Sequence, residues 1–244
     1  MVNHNGTLLS SSAGLSHKPM TPLPHHPQSH HRLMIDDMAI NRGGVNLIEG
    51  LCLQLDAGQI MFLRGANGSG KTTFLRGLAR LIPLTHGQFA INGIINTSDQ
   101  TAFMRQLILI GHRNAGLEHL NVIDSLRLMA SLMDMEPSQQ EILAALDHMG
   151  IHRIAHRQIS HLSAGQQRRL ALSRLALANK TPHRLWLIDE PFNALDDIAT
   201  KQLCELINTY CKNGGSAVIS GHGNMPLSPD ITLTLGTKPQ GELS

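Results

Sequence analysis

The chain has 244 residues, enough for one α/β domain with a subdomain and a core of its own. Its 20 Lys and Arg against 18 Asp and Glu leave a formal charge of +2, which argues against a general polyanion binder, and no apolar run reaches the roughly 18–20 residues that span a bilayer. Three cysteines, Cys52, Cys204 and Cys211, contain no CxxC and give neither a disulfide framework nor a zinc ribbon, which fits a reducing compartment.

Residues 1–31 carry Pro19, Pro22, Pro24 and Pro27, the run Ser10-Ser11-Ser12 and the pairs His25-His26 and His30-His31, with no acidic residue before Asp36. This composition predicts a disordered arm over 1–31 and a folded domain over 32–244. The arm's histidines lack an apolar frame that would fix metal geometry. Its lack of a seven-residue apolar stretch speaks against a secretory signal, and the presence of a single Arg, Arg32 just past its end, against a transit peptide.

Strand patterns dominate the first third of the domain. Leu51-Cys52-Leu53-Gln54-Leu55 alternates, Gln59 to Leu63 is a short apolar run leading into Arg64-Gly65, and Phe89 to Ile95 is a third extended segment. From about 97 to 160 the pattern is helical. Asn121 opens a run with Val122, Leu126, Met129 and Met133 at helical spacing, and Ser138-x-x-Glu141 is a capping box before Ile142, Leu143 and Leu146, with Gly150 as the stop. Beyond it, Arg184 to Ile188 reads as a strand, Ala199 to Lys212 as a helix and Ser216 to Ser220 as a strand. With aromatics at 3%, the core is expected to be mainly aliphatic.

Between the second strand and a helix-like stretch, Gly65-Ala66-Asn67-Gly68-Ser69-Gly70-Lys71-Thr72 matches GxxxxGK[ST]. Glycines let successive N–H groups fold around a phosphate at a helix N-terminus. Lys71 would neutralise β and γ oxygens, the Thr72 hydroxyl would ligate magnesium, and Thr73 continues the binding segment. Leu185-Trp186-Leu187-Ile188 runs into Asp189-Glu190. Four consecutive apolar residues suit a strand buried on both faces, whose C-terminal end is where ligands sit in parallel sheets. Asp189 is then the metal carboxylate and Glu190 the group that orients and polarises an attacking water. Some twenty residues upstream, Leu162-Ser163-Ala164-Gly165-Gln166-Gln167-Arg168-Arg169 places Ser163 as the N-cap of a helix through Leu177.

These motifs, followed by Asn193-Ala194-Leu195-Asp196 and His222, resemble in order and spacing the phosphate loop, signature, metal strand, D-loop and switch histidine of ATP-binding cassette ATPases. The resemblance implies a phosphate-loop α/β fold with a mostly parallel sheet, an N-terminal antiparallel layer and a helical subdomain over about 97–160. It also implies ATP and Mg2+ as ligands, and a homodimer in which Ser163 and Gly165 complete the partner's site while His222 contacts the γ-phosphate. Ala164 stands where the family's first signature glycine does, one methyl more. His112 occupies the place of the family's Q-loop glutamine, and Arg42 that of the adenine-stacking aromatic, where a guanidinium plane could stack on a base.

Within the family, His112, Arg42 and the compact single cassette resemble the ATPase subunits of cytochrome c maturation systems, described as haem exporters. That implies integral membrane permease subunits and haem-handling membrane proteins as partners, no nucleic acid, and a place at the cytoplasmic face of a bacterial inner membrane. Other readings are the ATPase of a different transporter, a soluble cassette protein acting on nucleic acid or the ribosome, and a nucleotide-binding scaffold without turnover. His148, His152 and His156, spaced by four, would form a metal face only on an unbroken helix, which Gly150 interrupts.

Overall fold

The computed structural model describes residues 31–111, 118–181 and 183–236. Residues 1–30 of the expected arm, and His112, lie outside these; His31 already belongs to the first strand.

The chain begins with a long hairpin, β1 (His31–Arg42) and β2 (Val45–Asp56), followed by β3 (Ile60–Arg64) and α1 (Lys71–Leu78). Next come β4 (His86–Ile91), β5 (Ile94–Ile95), α2 (Gln100–Met104) and β6 (Leu107–Ile110). Helices α3 (Val122–Ser131), α4 (Gln139–His148) and α5 (Ala164–Ala178) precede β7 (Leu185–Ile188), α6 (Asp197–Lys212), β8 (Ser216–Ser220) and β9 (Ile231–Thr234).

Two sheets form. One is antiparallel with order β2-β1-β4-β5; the other has order β6-β7-β8-β3-β9 with every pairing parallel. The extended segment expected over Phe89–Ile95 is split by Asn92 and Gly93, both at positive φ (52° and 75°), so it is a two-residue hairpin and not one strand.

The parallel strands alternate between two cores. Leu185, Leu187, Val218, Met61 and Leu63 face the antiparallel sheet and α1, packing with Leu33, Phe74, Leu75 and Leu78. Trp186, Ile188, Ala217 and Ile219 face the helices, packing with Leu126, Leu146, Leu172 and Ile207. This is why β7 is apolar at all four positions: both faces are covered. The cores are largely aliphatic, yet the largest fully buried side chains are Trp186, Tyr210, Phe62, Phe74, Phe89 and Phe103.

Buried Arg32 ties the sheets together, donating through Nη1 to Asn92 Oδ1 and the His183 carbonyl and through Nη2 to the Gly214 carbonyl, each at 2.5 Å. The segment read as helical over 97–160 includes β6, which is an edge strand of the parallel sheet. The helices of that segment beyond β6, α3 and α4, pack against each other and against α5. Each starts where its cap was read: Asn121 accepts from the Asp124 N–H, and Ser138 with Glu141 closes a capping box. Gly150, at φ 67°, follows the end of α4. His152 pairs with Asp147 at 2.6 Å, and among the described residues no group of three His, Cys, Asp or Glu could hold a metal. No helix among them is long and apolar enough to cross a membrane.

Candidate functional site

Strand β3 delivers the chain into a loop that only glycine can shape. Gly65, Gly68 and Gly70 have φ of 150°, 82° and 102°, and a Cβ at Gly65 would stand 2.3 Å from Ser69 Oγ and 2.5 Å from the Leu235 carbonyl. Gly70 caps α1 in the left-handed conformation with no side-chain hydrogen bond and no acidic residue in the first turn, so that turn brings no carboxylate of its own to its N–H groups and dipole. Ser69 Oγ is buried with no partner among the described residues. Lys71 is 5% exposed and turns back into the loop, donating to the carbonyls of Gly65 (2.8 Å) and Ala66 (3.1 Å). A cation whose hydrogen bonds among the described residues go to neutral carbonyls, beside uncapped N–H groups, fits a polyphosphate.

The carboxylates arrive from β7, whose neighbours β6 and β8 set its C-terminal end beside the loop. Asp189 is 2% exposed. Its Oδ2 accepts from Thr72 Oγ1 at 2.8 Å and its Oδ1 from Ser220 Oγ at 2.6 Å. Thr72 and Asp189, read separately from two motifs, thus sit in direct contact. A carboxylate and a hydroxyl so joined are an oxygen donor pair of the kind a hard divalent cation takes beside phosphates.

Glu190 has φ 47°, a left-handed conformation that costs a non-glycine residue about 1–3 kcal/mol. Around it, the Glu190 N–H donates to Ser220 Oγ at 3.0 Å and Asn193 Nδ2 donates to Oε2 at 2.8 Å. His222 Nε2 lies 2.9 Å from Oε1. The turn aims the carboxylate out of the sheet end, where it keeps 17% exposure. Ser220 serves both carboxylate residues at once, accepting from one and donating to the other. Ser220→Ala is expected to lower stability by about 1–3 kcal/mol, because it strands a buried N–H and removes a donor from a buried carboxylate. Urea unfolding measures this, and an unchanged midpoint would show that water replaces the hydroxyl.

Arg42 lies at the end of β1, exposed, with Nη1 3.4 Å from Thr73 Oγ1 at the first turn of α1. Ser163 and Gly165 are elsewhere. Ser163 caps α5 in a second capping box, with Gln166. Gly165 lies against the D-loop, where a Cβ would come 3.0 Å from the Ala194 carbonyl. A cavity of about 320 Å3 is lined by Ser163, Gly165, Gln166, Ala194 and Asp196 among others, and by no residue of the phosphate loop. The structure therefore joins Lys71, Thr72, Asp189, Glu190 and His222 in one place and leaves the signature facing another.

Sequence reasoning passed over Ser220, the Asn193 side chain's link to Glu190, and Arg168, which donates to the carbonyls of Gly111 and Asp189. Ser220 and Asn193 lay within stretches already read as a strand and a loop, so their contacts with the carboxylates became visible only once β7 and β8 were neighbours.

Residues 48–193 match the profile of the ABC transporter family. The cytochrome c biogenesis ATP-binding export protein CcmA of Albidiferax ferrireducens is 36% identical over 190 residues, covering 78% of this chain and 89% of that protein. Its namesake from Paracoccus denitrificans is 35% identical over 211 residues, covering 86% and 92%. Among solved structures, the ATP-binding subunit of an ABC transporter superposes with a TM-score of 0.77 at 23% identity, covering 87% of this chain and 89% of that one. A dimeric ATP-binding cassette bound to ADP and Pi gives 0.75 at 21% identity, covering 87% and 97%; at these identities both show the fold alone. Motif order, the two-sheet fold and the family match converge, and the chain belongs to the ABC transporter family as one of its ATP-hydrolysing cassettes.

Proposed function

We propose that this chain is the ATPase subunit that powers a membrane partner in c-type cytochrome biogenesis, by haem export or by release of haem from a carrier. The observation that carries the chemistry is the clustering of Lys71, Thr72, Asp189, Glu190 and His222 at one end of the parallel sheet. The cellular role is supported by the names of relatives about 35% identical over most of the chain.

ATP would lie in the loop Gly65–Thr73, with Lys71 exchanging its carbonyl partners for β and γ oxygens and Arg42 against the base. Thr72 and Asp189 would hold magnesium, which would supply positive charge to the phosphate oxygens. Glu190 accepts the proton of the attacking water or orients it. His222, in contact with Glu190, steadies that carboxylate and reaches the γ-phosphate. The signature completes the site from a second copy, since Ser163 and Gly165 line a cavity that their own phosphate loop does not enter. A homodimer with two composite sites follows, peripheral to the cytoplasmic face of the membrane and docked on integral permease subunits. His112 belongs to the segment between β6 and α3, the place for coupling to that partner.

The folded unit is read as 32–244 with a helical subdomain within about 97–160, and α3 and α4 are its body. Cells that depend on this chain and carry Glu190→Gln should accumulate the protein yet lack covalent haem in c-type cytochromes, with b-type haem proteins unchanged. Haem-stained gels with normal c-type bands would leave the ATPase standing and remove this cellular role.

A further inference from the structure

Arg168 follows Ser163 by five residues on α5 and is 4% exposed. Its Nη1 donates to the Gly111 carbonyl at 2.7 Å and its Nη2 to the Asp189 carbonyl at 2.6 Å. Gly111 directly follows β6 and Asp189 directly follows β7, and the last residues of these strands, Ile110 and Ile188, are paired. One planar guanidinium thus spans the exits of two adjacent parallel strands and fastens both to the signature helix.

A buried cation is costly unless something compensates it. Both hydrogen bonds of Arg168 go to backbone carbonyls and neither to a carboxylate oxygen; burial pushes its pKa down, and the nearby charges of Asp189 and Glu190 push it up. Compensation therefore comes through space from the two site carboxylates, while Nη1 and Nη2 donate to backbone carbonyls and Nε is buried with no partner among the described residues. The division has a chemical consequence. A cation paired directly with Asp189 would occupy the oxygens a metal needs, whereas Arg168 grips the carbonyl and leaves those oxygens to the hydroxyls of Thr72 and Ser220. Its helix neighbours do something else: Arg169 pairs with Asp196 of the D-loop at 2.5 Å, and Arg174 reaches the Leu109 carbonyl at 3.2 Å.

We propose that Arg168 is a positioning residue for the magnesium of the nucleotide, locking the β6 and β7 exits to the signature helix and setting positive charge behind Asp189 without ligating its carboxylate. The proposal rests on the nucleotide site described above. It predicts that Arg168 acts on metal-dependent binding and not on the grip of the phosphate loop itself.

The test is the affinity of a fluorescent ATP analogue, measured with excess EDTA and again with excess Mg2+, so that no turnover is needed. Arg168→Met should bind within about twofold of the unsubstituted protein in EDTA, and its magnesium-dependent gain should fall by about tenfold or more, the usual scale for an outer-shell partner. Arg168→Lys keeps the charge but cannot span both carbonyls, and should show an intermediate gain. The proposal is overturned by a Met variant with the full gain, by EDTA affinity falling in step with it, or by a Lys variant as impaired as Met. If Arg168→Met does not fold, as judged by its circular dichroism melt, Arg168→Lys decides alone: a full gain overturns the idea and a reduced one supports it. An unsubstituted protein that binds the analogue but gains nothing from Mg2+ also overturns it. One that binds no ATP at all refutes the nucleotide site itself and takes this proposal with it.

Discussion

With Glu190 replaced by Gln, ATP turnover is expected to fall by about a hundredfold to ten-thousandfold, the range a positioned general base contributes. The amide keeps the size of the side chain and an oxygen for the Asn193 N–H that now donates to Oε2. ATP binding should survive because the phosphate loop is untouched, and the ATP-bound dimer should accumulate. Phosphate release and light scattering with ATP and Mg2+ measure the two effects. A monomeric variant that hydrolyses ATP at the parent rate would remove both the role of Glu190 and the composite site.

Lys71→Ala is expected to weaken ATP binding by about tenfold to a hundredfold, since a hydrogen bond to a charged group contributes about 1.5–3 kcal/mol. The structure adds a second cost. Lys71 also cross-braces the loop through the Gly65 and Ala66 carbonyls, so the alanine variant loses both the cation and the brace. Equilibrium binding of a fluorescent ATP analogue reads the loss, and parental affinity would refute the placement of phosphate at this loop.

What could be read from sequence is what is chemically local. The phosphate loop, the capping box at Ser138, the N-cap at Ser163 and the apolar run of β7 each declare themselves within eight residues, and each is where its pattern put it. Strand β1 escaped notice because its burial pattern is interrupted where its register with β2 shifts, so no clean alternation marks it. The split of β4 from β5 was signalled by Asn92-Gly93 but overridden by the apolar residues flanking it. Strand β9 is four residues long and only partly buried, too weak a signal by itself. For the site, Lys71, Thr72, Asp189, Glu190 and His222 were legible because their side-chain types fit a known chemistry. Ser220 and Arg168 were not, because a serine in a strand and an arginine in a helix acquire meaning only from which strand ends lie beside them.

The order β6-β7-β8-β3-β9 also bears on how the protein is made. β3, which leads into the phosphate loop, finds both its neighbours, β8 and β9, only at Ser216–Ser220 and Ile231–Thr234. About 150 residues must therefore be translated after Arg64 before β3 has a partner, which at roughly 5–20 residues per second is about 8–30 s. The antiparallel pairing of β1 with β2 lies within a short stretch of chain and can close early. During that interval Ile60-Met61-Phe62-Leu63 is an unpaired apolar strand, so the segment that leads into the phosphate loop is also the one a nascent chain most needs shielded from neighbouring polypeptides on the ribosome.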